Sequence, residues 1–267
     1  MNFKLLCSDL DGTLLTTKSD VSDTTIAEIA RIRDKIKVIL VSARMPSGMR
    51  YLQKRLGIEE QPIICYNGAL VLDGKKELLS VYIPLQVVRQ IYDICNGFKT
   101  EIGLYENDNW QVTKSSERVE KEIKYTRTYP SFLPASLTLS YLEKNKLGAH
   151  KLMLMGTKKS SDELMPLLNN QFGDVLNIYR SNDTLIEVAP KSVSKLTAVK
   201  HLLTKEETLE DIIAFGDNYN DMDMLTHVAY GVAVGNAREE VKRISDNVTL
   251  KNTEDGVAHF IREHLLI

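Results

Sequence analysis

The sequence predicts a discontinuous α/β fold, a parallel-sheet core interrupted by an inserted α+β domain. Three observations carry that prediction. Short apolar runs alternate with helix-patterned segments through the first eighty residues, the alternation resumes after Pro190, and the stretch between reads as neighbouring strand pairs with few crossovers. Strands alternating with helices imply right-handed crossovers and a parallel sheet. The intervening strand pairs imply a separate unit of about 105 residues, an ordinary domain size.

The core opens on Phe3 to Cys7, a short apolar run that fits a buried strand and stops at Ser8-Asp9-Leu10-Asp11-Gly12-Thr13. Ser22 or Asp23 stands where an N-cap belongs, ahead of a helix carrying Ile26, Ile29, Ala30 and Ile32. The β-branched run Ile36 to Val41 gives a second strand, ending in Ser42-Ala43-Arg44. Met49, Leu52 and Leu56 then share one helix face, and Gly57 stops that helix. Pro62 to Tyr66 is a third strand closing on Asn67-Gly68, and Asp73-Gly74 turns a hairpin between Ala69–Leu72 and Glu77–Tyr82.

In the insert, Pro84 opens a helix whose stripe is Val87, Val88, Ile91, Ile94, Cys95 and Phe98. Strands are expected at Glu101–Tyr105 and Trp110–Thr113, a charged helix over Ser115 to Tyr125, and a loop around Tyr129-Pro130 and Pro134. His150–Met155 reads as a strand, and Ser160 with Glu163 as the capping box of a helix through Leu168. Two strands near Val175–Tyr179 and Thr184–Val188 complete the insert. Tyr105, Trp110, Arg180 and Asn182 are candidates to face the substrate, with a surface position or packing within the insert as the expected role of each. The core resumes with a helix after Ser194, strands at Ile212–Phe215 and Tyr230–Val234, and a last helix from about Glu254.

The 267 residues are 43% hydrophobic and 26% charged, with a formal net charge of -2. That is ordinary for a globular protein and lacks the basic footprint of a partner to nucleic acid or anionic lipid. No apolar stretch approaches the roughly 20 residues that span a bilayer, and Met1 to Asp9 does not have the pattern of a secretory signal. Cys7, Cys65 and Cys95 are widely spaced and odd in number, which leads us to expect reduced core thiols in a cytoplasmic protein.

The chemistry is concentrated where core strands end. Asp9 and Asp11 stand two residues apart at the carboxyl end of the first strand, the edge at which open α/β sheets bind ligands. Adjacent anionic groups repel unless a cation or a shared proton relieves them, and Mg²⁺ is the natural hard-oxygen partner. The same geometry recurs at Gly216-Asp217-Asn218-Tyr219-Asn220-Asp221, after Phe215. Helix capping is the bland role for Asn220 and Asp221, but two acid clusters at two distant strand ends are explained together by one divalent ion. Ser42 ends the second strand, and Lys195 sits in the first turn of a helix, where the dipole mildly disfavours it. Together these groups suit phosphoryl transfer: a metal and a Lys offset charge, hydroxyl and amide donors hold oxygens, and an Asp attacks phosphorus. The sequence contains no Gly-x-x-x-x-Gly-Lys, Gly-x-Gly-x-x-Gly, His-Glu-x-x-His or Gly-x-Ser-x-Gly motif.

Asp9-Leu10-Asp11-Gly12-Thr13, Ser42, Lys195 and Gly216-Asp217-x-x-Asn220-Asp221 resemble, in order, the four motifs of the haloacid dehalogenase (HAD) superfamily. Tyr66-Asn67-Gly68-Ala69, Gly231 to Ala237 and Glu254-Asp255-Gly256-Val257-Ala258 are similar to signatures of its Cof-type phosphatases. Ala43 departs from the Gly often found there. The resemblance implies a Rossmann-like core over 1–83 and 188–267, with a large inserted cap over 84–187 that sets substrate choice as a lid. It also implies roles. Asp9 would be the nucleophile and a metal ligand. Asp11 would be the general acid/base and a metal ligand through its main-chain carbonyl. Ser42, Asn220 and the Leu10 and Ala43 amides would hold the phosphoryl group. Lys195 would neutralise transition-state charge and Asp217 complete the metal site, with Asp221 behind it and Asn218 reaching the ion by a carbonyl or a water. The expected activity is Mg²⁺-dependent hydrolysis of small phosphorylated metabolites, sugar phosphates foremost. A phosphomutase of the same superfamily is the nearest alternative. A phospho-accepting sensor module is a more distant one, because it gains nothing from an acid/base at Asp11.

Overall fold

The computed structural model describes residues 3–16 and 20–265. They form two compact units, one of residues 1–79 with 194–267 and one of residues 80–193. The first unit begins β1 (Leu5–Asp9), α1 (Asp23–Ile32), β2 (Lys37–Val41), α2 (Ser47–Leu56), β3 (Ile63–Cys65), β4 (Leu70–Asp73) and β5 (Lys76–Ser80). The second unit holds α3 (Leu85–Gly97), β6 (Glu101–Glu106), β7 (Asn109–Val112), α4 (Glu117–Thr126), β8 (Ser131–Phe132), α5 (Ala135–Asn145), β9 (Lys151–Met155), α6 (Lys158–Phe172), β10 (Leu176–Asn182) and β11 (Leu185–Pro190). The first unit closes with α7 (Lys195–Leu202), β12 (Ile212–Gly216), α8 (Met222–His227), β13 (Tyr230–Ala233), α9 (Glu239–Ile244), β14 (Asn247–Val248) and α10 (Gly256–His264).

The core sheet has eight strands in the order β14-β13-β12-β1-β2-β3-β4-β5. Strands β14 through β3 are parallel, and the hairpin strand β4 turns antiparallel to β3. β1 and β12 are buried along their whole length, as a sheet covered on both faces requires. β1 lies at the switch point, with chain continuing to β2 on one side and β12 returning on the other. Its register sets Ser8 beside Phe215 and Asp9 beside Val41. The carboxyl ends of three strands, carrying Asp9, Ser42 and Asp217, therefore meet at one edge, where such folds place ligands. Local signals act as read: the Ser22 side chain accepts from the Thr25 amide to cap α1, and Gly57 ends α2 at φ 65°.

The second unit folds α3, α5 and α6 over a six-stranded sheet of order β10-β11-β9-β6-β7-β8. Ile102, Leu104, Leu152, Leu154, Ile178, Ile186 and Val188 give that sheet its apolar face. Tyr105 and Trp110 are buried and stack at 5.4 Å. Arg180 is engaged with Asp162 and donates to the Asp183 and Asn182 carbonyls.

Four sequence readings are corrected here. The units part at 79/80 and 193/194 rather than 83/84 and 187/188. β11 pairs with β10 as far as Pro190, and Lys191 donates its amide to Val175 and its ammonium to Gly173, which ties the chain to the second unit beyond the last strand. α6 is capped by Thr157, not Ser160. Ser160 is the reciprocal partner in that box, and the helix runs to Phe172. The loop around Tyr129-Pro130 contains β8, paired in parallel with β7. Finally, α5 follows Pro134 with no stripe to announce it, because Leu137 and Tyr141 are exposed among buried Leu139 and Leu142. Among the described residues no helix is long and apolar enough to cross a membrane.

Candidate active site

The site is assembled at the carboxyl edge of β1 and β12. Asp9 ends β1 and is buried, and the Lys195 ammonium donates to its Oδ1 at 2.5 Å. Lys195 opens α7 behind the Ser194 cap, and its side chain is fully buried. Its second partner is Asp221 Oδ1 at 2.6 Å. Asp221 Oδ2 accepts from the Asp217 and Asn218 amides at 3.0 Å each, so both its oxygens hold structure in place. That is the reciprocal half of the Asn218 capping box over Tyr219–Asp221, not a cap on α8. Asp217 Oδ1 accepts from the Thr13 hydroxyl at 2.9 Å.

Carboxylate oxygens of Asp9, Asp217 and Asp221 all lie within 4.8 Å of one another. Three acids thus face one ammonium. Burial pushes the Asp9 carboxyl well above the ordinary carboxylate range, and the Asp221 and Asp217 charges add to that, against the pull of Lys195. Burial, then the charge of Asp221, raises Asp217 from 3.8 to about 6. Burial opposes the charge on Lys195, but Asp221 and Asp9 outweigh it and hold the lysine protonated above its ordinary range. Excess buried negative charge lined by oxygen donors fits one hard divalent cation.

Backbone geometry leaves room for this convergence. Gly12 has φ 95°, and a Cβ there would stand 2.7 Å from Asp217 Oδ2. The Tyr66 and Asn67 residues after β3 adopt left-handed φ of 53° and 54°, and Asn67 Oδ1 accepts from Asn220 Nδ2 at 3.0 Å. Ser42 is buried at the end of β2, and its hydroxyl accepts from the Arg44 amide at 3.2 Å. Leu10 is buried and Ala43 half-buried beside these groups in sequence.

Two expected site residues have side-chain partners of their own. The Asp11 carboxylate stands outside the three-acid cluster: Arg44 Nη2 donates to its Oδ1 at 2.7 Å and Nε to its Oδ2 at 2.8 Å. The two carboxylates thus have different side-chain counter-charges. Lys195 serves one and Arg44 the other. Asn218 Oδ1 accepts from the Tyr219 amide and from Arg238 Nε, both at 2.9 Å, and its main-chain carbonyl accepts from Asp221. Sequence reasoning missed Arg44, Thr13, Asn67 and Arg238 as parts of the site. For Arg44 the available signal was its place three residues past the end of β2, two after Ser42.

Comparison with known proteins gives the family. Residues 6–261 match the family of haloacid dehalogenase-like hydrolases. The 5-amino-6-(5-phospho-D-ribitylamino)uracil phosphatase YitU of Bacillus subtilis is 29% identical over 272 residues, covering 97% of each chain. A solved haloacid dehalogenase-like hydrolase from Bacteroides thetaiotaomicron superposes with a TM-score of 0.88 at 28% identity, covering 97% of this chain and 98% of that one. The solved structure of BT4131, described as a sugar phosphatase of HAD subclass IIB, has a TM-score of 0.78 at 25% identity over 99% of this chain and all of that one. With the motifs and the fold in agreement, the chain belongs to the haloacid dehalogenase-like hydrolases and is a phosphoric monoester hydrolase of that family.

Proposed function

We propose that the protein hydrolyses phosphate monoesters of small metabolites, sugar phosphates foremost, through an aspartyl-phosphate on Asp9. The observation that carries this reading is the buried Asp9 carboxylate, gripped by Lys195 and set beside Asp217 at a strand end. In it, Asp9 attacks phosphorus while Lys195 offsets the charge that develops on the transferred group. Ser42, Asn220 and the Leu10 and Ala43 amides hold the phosphoryl oxygens. Asp11 gives a proton to the leaving oxygen and then takes one from the attacking water. Asp221 locks Lys195 and the 217–218 turn in position. Mg²⁺ would be held by Asp9, Asp217 and the Asp11 carbonyl, with Asn218 acting through water. When bound there it offsets phosphoryl charge. We assign substrate choice to the inserted unit, which contains none of these positions, and the working compartment to the cytoplasm, in keeping with three buried cysteines outside any disulfide.

Two relatives support the substrate class by what they are named for, a phosphoribityl compound and sugars. A panel of phosphorylated sugars, sugar alcohols, cofactors, nucleotides and amino acids, assayed for phosphate release with Mg²⁺, tests it. The highest kcat/KM is expected among phosphorylated sugars or sugar alcohols. Release from none of the panel would overturn the reading, and a nucleotide or amino-acid preference would overturn its substrate part.

The metal assignment has its own signature in stability. In the metal-free folded protein the raised carboxyl of Asp217 binds its proton more tightly than in the unfolded chain. Its stabilising contribution is therefore present below the unfolded value of 3.8 and is lost as pH rises through about 6. A divalent ion replaces the proton above that range and binds only the folded state. Mg²⁺ added to chelator-treated protein is expected to raise Tm more at pH 7.5 than at pH 5. Equal gains at both pH values would place the ion elsewhere.

A further inference from the structure

Asp11 is held by a device more elaborate than a charge pair needs. The Arg44 guanidinium engages both its oxygens in a two-point fork, at 2.7 and 2.8 Å. Arg44 is itself buried, while the Asp11 side chain is 41% exposed and open to a ligand. The guanidinium is anchored from behind by α2: Nη1 donates to the Gly48 carbonyl and to the Tyr51 hydroxyl, at 3.2 Å each. Its own amide donates to Ser42 Oγ. Burying an arginine to pair one carboxylate gains little stability over neutral packing. A planar fork does fix the distance and the plane of the carboxylate it grips, which an ammonium does not.

We propose that Arg44, steadied by Tyr51, is a positioning residue that aims the Asp11 carboxyl at the leaving oxygen of the substrate. The proposal rests on the phosphatase reading of Asp9 and Asp11 given above. In the first step Asp9 Oδ bonds to phosphorus as the ester P–O bond breaks, and the ester oxygen takes that electron pair together with the proton of Asp11. In the second, Asp11 takes a proton from water as the water oxygen bonds to phosphorus, and the pair of the P–O bond returns to Asp9. An alkoxide needs the proton to leave. A 4-nitrophenolate leaves as a stable anion without it.

The test compares kcat/KM of Arg44→Met with that of the unaltered enzyme on a sugar phosphate and on 4-nitrophenyl phosphate. General acid catalysis is typically worth about 10²-fold or more, so we expect that loss on the sugar ester and no more than about threefold on the aryl ester. Arg44→Lys, which keeps the charge without the fork, should resemble Arg44→Met. Because the second step is common to both esters, the variant should also release nitrophenolate in a burst. Tyr51→Phe, which loosens only the anchor, should show the same selectivity at about fivefold, and it decides the matter should Arg44→Met fail to fold. Equal losses on both esters, or none, would overturn the role of Arg44 while leaving the phosphatase reading in place. An unaltered enzyme inert to both esters would overturn that reading and this inference with it.

Discussion

Replacing Asp9 by Asn is expected to abolish turnover, by about 10⁴-fold or more, on the scale of nucleophile deletions in other enzymes. The amide keeps the shape of the carboxylate but cannot attack phosphorus, and it removes one charge from the cation site. The fold should survive. Asp9 is a buried acid that burial and two neighbouring acids keep from ionising easily, and its neutral isostere relieves that repulsion. Tm without metal should therefore hold or rise while phosphate release disappears. Substantial residual turnover would show that another group is the nucleophile.

Lys195→Met is expected to be the most damaging change to stability. The ammonium is the shared counter-charge of Asp9 and Asp221, and all three side chains are buried. Removing one partner of a buried ion pair costs about 3–5 kcal/mol, because the remaining charge is left uncompensated. Activity should also fall, by roughly 10²–10³-fold, the scale for losing one preorganised group that stabilises developing charge. Denaturant unfolding at unchanged slope measures the first effect and phosphate release the second. Adding Asp221→Asn to Lys195→Met should restore part of the stability, since one of the two orphaned charges then disappears, but none of the activity. A single variant as stable as the parent would mean that the lysine is not the counter-charge described here.

The core was legible in the sequence because its signals are local. Apolar runs of strand length stop at acids, Ser22 caps α1, Gly57 ends α2, and Asp73-Gly74 joins β4 to β5. The grouping of Asp9, Asp217, Asp221 and Lys195 was inferable from strand ends, since parallel strands deliver their carboxyl ends to one edge. Arg44 was not legible. An arginine after a strand reads as a solvated side chain, and only the packing of α2 behind it shows that it is buried and aimed at Asp11. The cap of α6 misled because Ser160 and Glu163 have capping-box spacing of their own, while the box that forms is Thr157 with Ser160 one turn earlier. The far end of the insert was misplaced because a strand pairing carried to Pro190 is a tertiary fact with no local mark.

The central claim is a covalent phosphoryl group on Asp9. It is tested most directly by mixing the Mg²⁺-loaded enzyme with a sugar phosphate, quenching in acid within one turnover and locating the phosphoryl group by peptide mass spectrometry. The account predicts an adduct on the peptide containing Asp9 and none in Asp9→Asn; with 4-nitrophenyl phosphate, whose leaving group needs no proton, an Asp11→Asn variant that cannot activate water should hold more of it. A phosphoryl group on a different residue, or full turnover of the sugar phosphate with no adduct on Asp9 at any quench time, would contradict it.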